Sequence, residues 1–511
     1  MASKVFSIQE LPKLVIDCLA YGHFDLIHPG HVRYLSNAST KFGRLTVAVM
    51  ADKSSGMKST FNHPQEERAS AVAEFSCVDQ VVLLHPENLS QVVDHLKPTV
   101  LILGEEFKQS KDLDITSAIQ LQRSSGRRVV FDSGGNEGAG SLLSKSESEI
   151  ERELIAKFQR VLSRNNINID HLGSLVESWR GAKVLVVGDS IIDRYVDCEA
   201  LGLSAEAPVV VVRERQEKCF AGGAAVVAAH ISALGGECSL VSVVGEDDSK
   251  YALLDALEEH GVQATLITDK SRPTTLKTRF VVETQKLFRT SRLEEREIDV
   301  DTELALIREL EIKVQDVDVV IISDFNYGVI TERVLAVLGK LADDHQYRLL
   351  GDLQCSSQFG SVLKFRNFSL ITPNEKEARI ALHDKSSGLE SIAQRLLIES
   401  SAKSLVLKLG SEGFVLYDTQ VKDRLLREAF PSLSVAPIDV TGAGDSMLAV
   451  FSLAMAKKQP LICASVLAAC VAAEAVETLG NTPISSAKLL QRLSYYKSKF
   501  YYQVPSETQE S

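Results

Sequence analysis

The sequence predicts an α/β protein of two domains joined by a helical connector, and three observations carry that prediction. At 511 residues the chain is too long for one ordinary hydrophobic core. Residues 1–135 alternate short β-rich runs with helical stretches, the pattern of a parallel sheet covered on both faces. A second series of the same kind opens at Lys183 and runs to about residue 490, after a charged helical segment.

Taken in order, the first domain spans residues 1–141, with strands expected at Leu14–Leu19, Leu45–Met50, Gln80–Leu84, Val100–Leu103 and Arg128–Phe131. A Gly/Ser-rich loop follows at 134–141. Residues 142–180 form the connector, in which Lys145–Leu162 is charged and helically periodic until Asn165-Asn166 breaks it. The second domain, residues 181–490, starts with the strand Lys183–Gly188 and contains a strand-rich excursion at 194–222. Further strands are expected at 276–283, 318–323, 347–351, 369–371 and 404–409. Residues 447–475 are strongly apolar but interrupted by Lys457, Lys458, Gln459 and Pro460, so they predict two buried helices and no membrane span. A helix over 485–502 closes the fold, and residues 491–511 are its end and a polar tail.

Composition narrows the function classes. With 45% hydrophobic and 24% charged residues the chain has the make-up of a globular protein. Its net charge of −12, with no basic run interleaved with aromatics, argues against a nucleic-acid platform. Eight cysteines are scattered without a C-x-x-C pair, which predicts reduced core residues in a cytoplasmic protein. The start, MASKVFSIQELPK, lacks an apolar h-region, so no signal peptide is expected.

Two constellations carry chemistry. In the segment 437–448, Gly442-Ala443-Gly444 ends a β-branched approach and an apolar helical run starts at Asp445. Glycines let the backbone come close to a ligand, and the helix start turns free N–H groups and a positive dipole end toward an anion. A carboxylate at Asp445, beside that cradle, is placed to take a proton from a hydroxyl as a phosphoryl group arrives. In the first domain, Pro29 suits the first position of a helix. His28 then caps that helix and His31 lies a turn away, where two imidazoles meet the phosphates of a nucleotide and charge developing at its α-phosphorus. Gly22 and Gly30 leave room for those phosphates. Elsewhere, Asn374 and Glu377 stand at i, i+3 on a helix start, a pair suited to a hydrated Mg²⁺. Gly222 and Gly223 allow close backbone approach, Arg289 is a bidentate anion candidate, and Lys408–Gly413 reads as a turn between strands.

The segment Tyr21-Gly22-His23-Phe24-Asp25-Leu26-Ile27-His28-Pro29-Gly30-His31 resembles the G-x-F-D-x-x-H-x-G-H motif of the cytidylyltransferase-like nucleotidyltransferases. That resemblance covers about residues 14–131 and implies a Rossmann-like nucleotidyltransferase domain that uses ATP or CTP. It implies nucleotide contacts at Gly22, Phe24, Asp25 and Gly30, catalysis by His28 and His31, and nucleotide binding by Lys58 and by Arg68 of the P-x-E-x-R-like segment. Where the heptose-phosphate adenylyltransferases of this family carry a lysine after the fourth strand, this chain has Leu103. Their Ser/Thr-rich motif is replaced by GNEGAGS, with Ser141 its one hydroxyl.

Residues 181–485 resemble the ribokinase-like sugar kinases, which implies a ribokinase-like α/β domain with a small β-sheet lid. In that family the position of Asp193 binds sugar hydroxyls, the glycine turn with Asp445 is the anion hole and base, and Asn374 and Glu377 hold Mg²⁺ through water. Lys408, Gly410 and Gly413 match its adenine-side turn. Ser204–Val209, which includes Glu206, and Ala221–Ala225, with Gly222 and Gly223, resemble the heptose-phosphate kinases. So does the strand pair from Lys277 to Arg289, which in that subgroup reads the sugar phosphate, and so do Ser323-Asp324-Phe325 and Gly328. The subgroup's G-G-A-A-N ends here in Val226, and its D-P-K-G reads Asp352-Leu353-Gln354-Cys355.

Together the two domains resemble the bifunctional heptose-7-phosphate kinase/heptose-1-phosphate adenylyltransferases, in the reverse of their usual order. The resemblance implies phosphorylation of a sugar phosphate at C1 followed by nucleotidyl transfer, with Mg²⁺ and ATP. It also implies small-molecule partners, no nucleic acid or membrane, and a homodimer through 194–222. The alternatives are a sugar kinase whose N-terminal domain is degenerate or regulatory, and a non-catalytic sugar-phosphate sensor.

Overall fold

The computed structural model describes residues 4–8, 16–25, 27, 29–52, 63–84, 89–104, 107–108, 110, 112–132, 147–203, 209–282, 285–354, 360–421 and 425–501. His28, Lys58, Ser141, Glu206 and Cys355 lie outside them. The chain divides into two compact units: residues 1–145 with 383–394, and residues 146–382 with 395–511.

In the first unit, β1 (Val5–Ser7), β2 (Cys18–Gly22), β3 (Leu45–Val49), β4 (Gln80–Leu83), β5 (Val100–Leu103) and β6 (Arg128–Phe131) form one sheet. Its order is β1-β4-β3-β2-β5-β6, and every pairing is parallel. Helices α1 (Pro29–Phe42), α2 (Gln65–Ala73), α3 (Leu89–Leu96) and α4 (Leu113–Ser124) connect the strands. Strand β3 is buried along its whole length, as a central strand covered on both faces must be. The chain order reverses between β2 and β5, so the crevice beyond their carboxyl ends is where this topology binds ligands. The first predicted strand, Leu14–Leu19, is observed as β2 and starts later, at Cys18. The edge strand β1 went unpredicted because three residues of VFS carry no readable period.

The second unit opens with α5 (Glu147–Arg164) and α6 (Ile169–Glu177). These helices of the connector segment do not stand free. Phe158 and Trp179 are fully buried in the unit's main core, and Trp179 Nε1 donates to Gln459 Oε1 at 3.0 Å. Strands β7 (Lys183–Gly188), β8 (Ser190–Leu203) and β9 (Val210–Gly223) follow, then α7 (Ala224–Ala233), β10 (Glu237–Val244), α8 (Asp248–Glu259) and β11 (Gln263–Thr268). Next come β12 (Thr275–Val282), β13 (Gln285–Arg292), α9 (Val300–Lys313), β14 (Val319–Asp324), α10 (Glu332–His345), β15 (Arg348–Leu353) and β16 (Leu370–Ile371). The series ends with α11 (Glu375–Ala381), α12 (Leu389–Ser400, whose residues 389–394 are assigned to the first unit), β17 (Ser404–Lys408), β18 (Phe414–Asp418), β19 (Leu426–Phe430), α13 (Ala443–Ala456), α14 (Leu461–Val476) and α15 (Ser486–Tyr501).

Nine of these strands make a sheet in the order β11-β10-β7-β14-β15-β16-β17-β18-β19. It is parallel from β11 to β17, and β18 and β19 then run antiparallel. Helices α7, α13 and α14 are apolar nearly all round because they are sandwiched within the core. The excursion predicted at 194–222 is the long antiparallel hairpin β8–β9, and β12 and β13 join it in a separate four-stranded sheet, β13-β12-β8-β9. This is the lid. Of the seven described cysteines none is disulfide-bonded, but Cys219 is exposed on the lid rather than in a core.

Candidate active site

The carboxyl ends of β14, β15, β16 and β17 and the base of the lid surround a cavity of about 360 Å³. It brings together Asp193, Gly223, Asn374, Glu377, Lys408, Gly410, Gly413 and the run Gly442–Asp445, which the sequence placed in one site.

Gly442 caps α13 in the left-handed region at φ 82°, a conformation that costs glycine little. The turn presents the start of α13, and Asp445 sits in its first turn, buried with Oδ1 lacking any hydrogen-bond partner. Burial pushes the Asp445 carboxyl up to about 7, the nearby Asp352 and Asp193 adding to the rise while Lys408 and Lys277 oppose it. A carboxylate tuned near neutrality, with a free oxygen facing a cavity, has the properties of a general base.

Lys408 does not turn toward the far side of the Lys408–Gly413 turn. Its Nζ donates to Asp352 Oδ1 at 2.6 Å, and a Cβ built on Gly444 would lie 3.1 Å from it. Its cation therefore stands beside the glycine turn at the start of α13. Burial opposes that charge, but Asp352 and Glu377 outweigh it and raise the lysine's pKa. Asn374 and Glu377 form a reciprocal capping box on α11: Glu377 N donates to Asn374 Oδ1 at 2.9 Å, and Asn374 N to Glu377 Oε2 at 2.8 Å. One carboxylate and one amide are too few to enclose a bare cation, and no group of three metal-ligating side chains occurs among the described residues. Such a pair suits a Mg²⁺ that keeps most of its waters.

At the base of the lid, Asp193 forms an ion pair with Arg279 and accepts from Asn481 Nδ2 at 2.7 Å. Gly222 acts for Asp193 and does not face the cavity, since a Cβ there would lie 2.4 Å from the Asp193 carboxylate. Gly223 does line the cavity; at φ 60° its added Cβ would meet the Asp189 carbonyl at 2.2 Å. Arg289 is a correction. It is exposed on β13 and lies outside the cavity, whereas its cross-strand partner Arg279 lines it with Lys277. Lys277 lies over the rings of Phe325 and Tyr327, at 5.0 and 5.3 Å. Burial lowers its pKa, and Arg289 and Arg279 lower it further.

The lid is tied to the glycine turn. Asp439, the first acid of that segment, accepts from Lys286 Nζ at 2.8 Å and Tyr195 OH at 2.7 Å, both on lid strands. Burial would raise its pKa, but these donors and Thr441 hold it down at about 2. No local pattern marks Asn481, Lys286 or Tyr195 as site neighbours, because segments distant in the chain bring them together. Lys277 and Arg279 carried a signal, standing at i and i+2 on one face of a strand.

In the first unit, Phe24 takes a left-handed conformation at φ 50° and packs 5.1 Å from the His31 ring, on the first turn of α1. A Cβ on Gly22 would press the Phe24 ring at 3.0 Å, so the glycine admits that ring. Asp25 accepts from His63 N at 3.1 Å, joining the motif to the start of α2. Gly30 is buried in α1. Arg68 is 1% exposed, and its guanidinium donates to the carbonyls of His23, Met50 and His63 and to Asp52. Its role in the described structure is to hold this loop. Leu103 is fully buried among Tyr21, Val82 and Leu101 in the sheet's core.

The chain matches the family model for pfkB family carbohydrate kinases over residues 182–488 and the cytidylyltransferase-like model over residues 19–128. Among curated relatives, the bifunctional protein HldE of Wolinella succinogenes is 32% identical over 315 residues, 61% of this chain and 64% of the relative. HldE of Trichlorobacter lovleyi is 32% identical over 330 residues, 63% and 65% of the two chains. HldE of Helicobacter acinonychis is 30% identical over 341 residues, 63% and 72%. The chain thus spans just under two-thirds of the first of these relatives. Among solved structures, phosphofructokinase-2 from Escherichia coli in complex with substrates and products superposes with a TM-score of 0.52 at 18% identity. That match covers 62% of this chain and 99% of the other, a likeness of fold.

Proposed function

The chain belongs to the pfkB family of carbohydrate kinases, and we propose that its second unit transfers the γ-phosphoryl group of ATP to C1 of a sugar phosphate, heptose 7-phosphate. The observation that carries this reading is Asp445, its pKa pushed up to about 7 and its Oδ1 unpartnered, between the Gly442–Gly444 turn and Asp193. Asp445 takes the proton of the anomeric hydroxyl as its oxygen attacks the γ-phosphorus, and ADP leaves. The backbone N–H groups at the start of α13 and the Lys408 cation meet the charge on the phosphoryl oxygens. Asp193, held by Arg279 and Asn481, orients the sugar hydroxyls, and positioning supplies most of the acceleration. A Mg²⁺ held through water by Asn374 and Glu377 would supply charge neutralisation on the ATP phosphates. Lys277 and Arg279 provide cations for the substrate's own phosphate.

Asp445→Asn tests this directly. ADP formation is expected to fall at least 10³-fold, with ATP affinity within about threefold of wild type. Undiminished turnover would remove Asp445 from the chemistry.

For the first unit we propose nucleotidyl transfer: a sugar 1-phosphate attacks the α-phosphorus of ATP or CTP beside His28 and His31, releasing pyrophosphate. A second reading has a specific observation behind it. The buried Leu103 offers no cation where the resembling enzymes carry a lysine, and Arg68 spends its donors inside the loop. In that reading the first unit binds nucleotide without turnover and the chain is a kinase alone. Pyrophosphate released from heptose 1-phosphate with ATP or CTP decides for transfer; binding without release decides for the second reading. We further propose a cytoplasmic homodimer that pairs through the lid, where Leu201, Val209, Val210 and Val211 expose apolar surface. No helix among the described residues is long and apolar enough to cross a membrane.

A further inference from the structure

We propose that Asn481 is a substrate-binding and specificity-determining residue, accepting a hydrogen bond from the sugar hydroxyl next to the one phosphorylated. The inference rests on the kinase reading of this cavity. Asn481 is 4% exposed and lines the cavity, yet its Oδ1 is buried without a hydrogen-bond partner. A buried acceptor left unpaired costs stability, and a ligand donor is the usual remedy.

The orientation of the amide is fixed by its surroundings. Nδ2 donates to Asp193 Oδ2 at 2.7 Å, and flipping the group would set two acceptor oxygens against each other. Oδ1 therefore points away from Asp193, toward Gly442, where an added Cβ would lie 2.7 Å from it. The acceptor stands between the sugar-orienting carboxylate and the mouth of the glycine cradle. A phosphate oxygen, itself an acceptor, gains nothing there; a hydroxyl does. For transfer to C1, the hydroxyl in that place is the one on C2.

The loop that carries Asn481 is held in position. Gly480, at φ 72°, lies against the lid residue Phe220, where a Cβ would clash at 2.7 Å. Thr482 N donates to the Gly480 carbonyl at 2.9 Å, and Ile484 N donates to His230 Nδ1 at 3.1 Å. Burial keeps His230 neutral and able to accept. The side chain is thus preorganised, which is what discrimination by one hydrogen bond requires. It also answers a feature of the sequence. Val226, on buried α7, has no amide to offer the sugar, and Asn481 brings one from the opposite end of the chain.

The test compares heptose 7-phosphate with its 2-deoxy analogue. Wild type is expected to lose 10- to 100-fold in kcat/KM on the analogue. Asn481→Leu should lose a similar factor on the parent sugar, with KM for ATP unchanged and little further discrimination between the two sugars. A residue that only braced Asp193 would, on substitution, weaken both sugars equally and leave the discrimination intact, which overturns the assignment. Wild type that accepts both sugars alike also overturns it, and that measurement needs no variant. Asn481→Ser serves as the second variant should leucine compromise folding. Absence of turnover in wild type, with ATP bound, sinks the kinase reading and this inference with it; turnover without discrimination sinks the inference alone.

Discussion

At the scale of one residue, the proposed reaction rests on Asp445, whose environment would set the pH at which it works. As a base it must be ionised, so kcat/KM for the sugar should rise on the acid side and level off above a pH of about 7. Asp352 is the charge that raises Asp445 most, after burial. Asp352→Asn keeps the shape and removes that charge, and the acid limb is expected to move down by roughly one unit. Asp445 also bears on stability. Its folded pKa lies above the unfolded value of roughly 4, so the folded chain holds a proton that the unfolded chain has released in that window. Stability contributed by this group is therefore lost as pH rises from about 4 through about 7. Asp445→Asn should accordingly melt a few degrees above wild type at pH 8 and lose that advantage at pH 4, which thermal unfolding at the two pH values checks. The glycine turn and Asp445 were legible in the sequence because their chemistry is local, carried by consecutive residues. Arg279 lines the cavity and its cross-strand partner Arg289 does not, a distinction hidden in the sequence, which names the cations of a strand pair but not which of them overhangs the cavity.

Among the elements, the lid and the connector helices show what packing adds. The hairpin β8–β9 was visible as a β-rich excursion, but its use was not. Lys286 and Tyr195 reach from the lid to Asp439, placing the closing element in contact with the segment that leads to the phosphate cradle. No local pattern announces such a contact, since residues 195, 286 and 439 meet only after the sheet and lid have formed. The connector was read correctly as helical, while its packing was hidden by its charged composition. Trp179, the chain's one tryptophan, is fully buried in the core of the second unit. Trp179→Ala should destabilise that unit by about 3–5 kcal/mol, read by denaturant unfolding. A loss under about 1 kcal/mol would mean that α6 contributes little to the kinase fold.

Across the whole molecule, each unit has a sheet with a run of parallel strands, and described candidate groups such as Gly22 in the first unit and Asn374 and Lys408 in the second stand at the carboxyl ends of those strands. Strand–helix alternation made both sheets readable, and the glycine-turn motif lies at the second unit's cavity. The edge strand β1 was not readable, because a three-residue strand leaves no period to detect, whereas the Gly/Ser-rich loop at 134–141 marked the chain break close to where the first unit's leading segment ends at Lys145. The sugar's identity is written in side-chain geometry from distant segments, which is why Asn481 surfaced only with the fold. Phosphoryl transfer to C1 at the Asp445 cavity is the reaction on which the proposed function stands. The most direct measurement is phosphorus NMR of the full chain with Mg·ATP and heptose 7-phosphate. An anomeric phosphate resonance should grow one for one with ADP in wild type and be absent in Asp445→Asn. No ADP from wild type, a phosphate ester at another carbon, or equal rates in the two proteins would contradict the account.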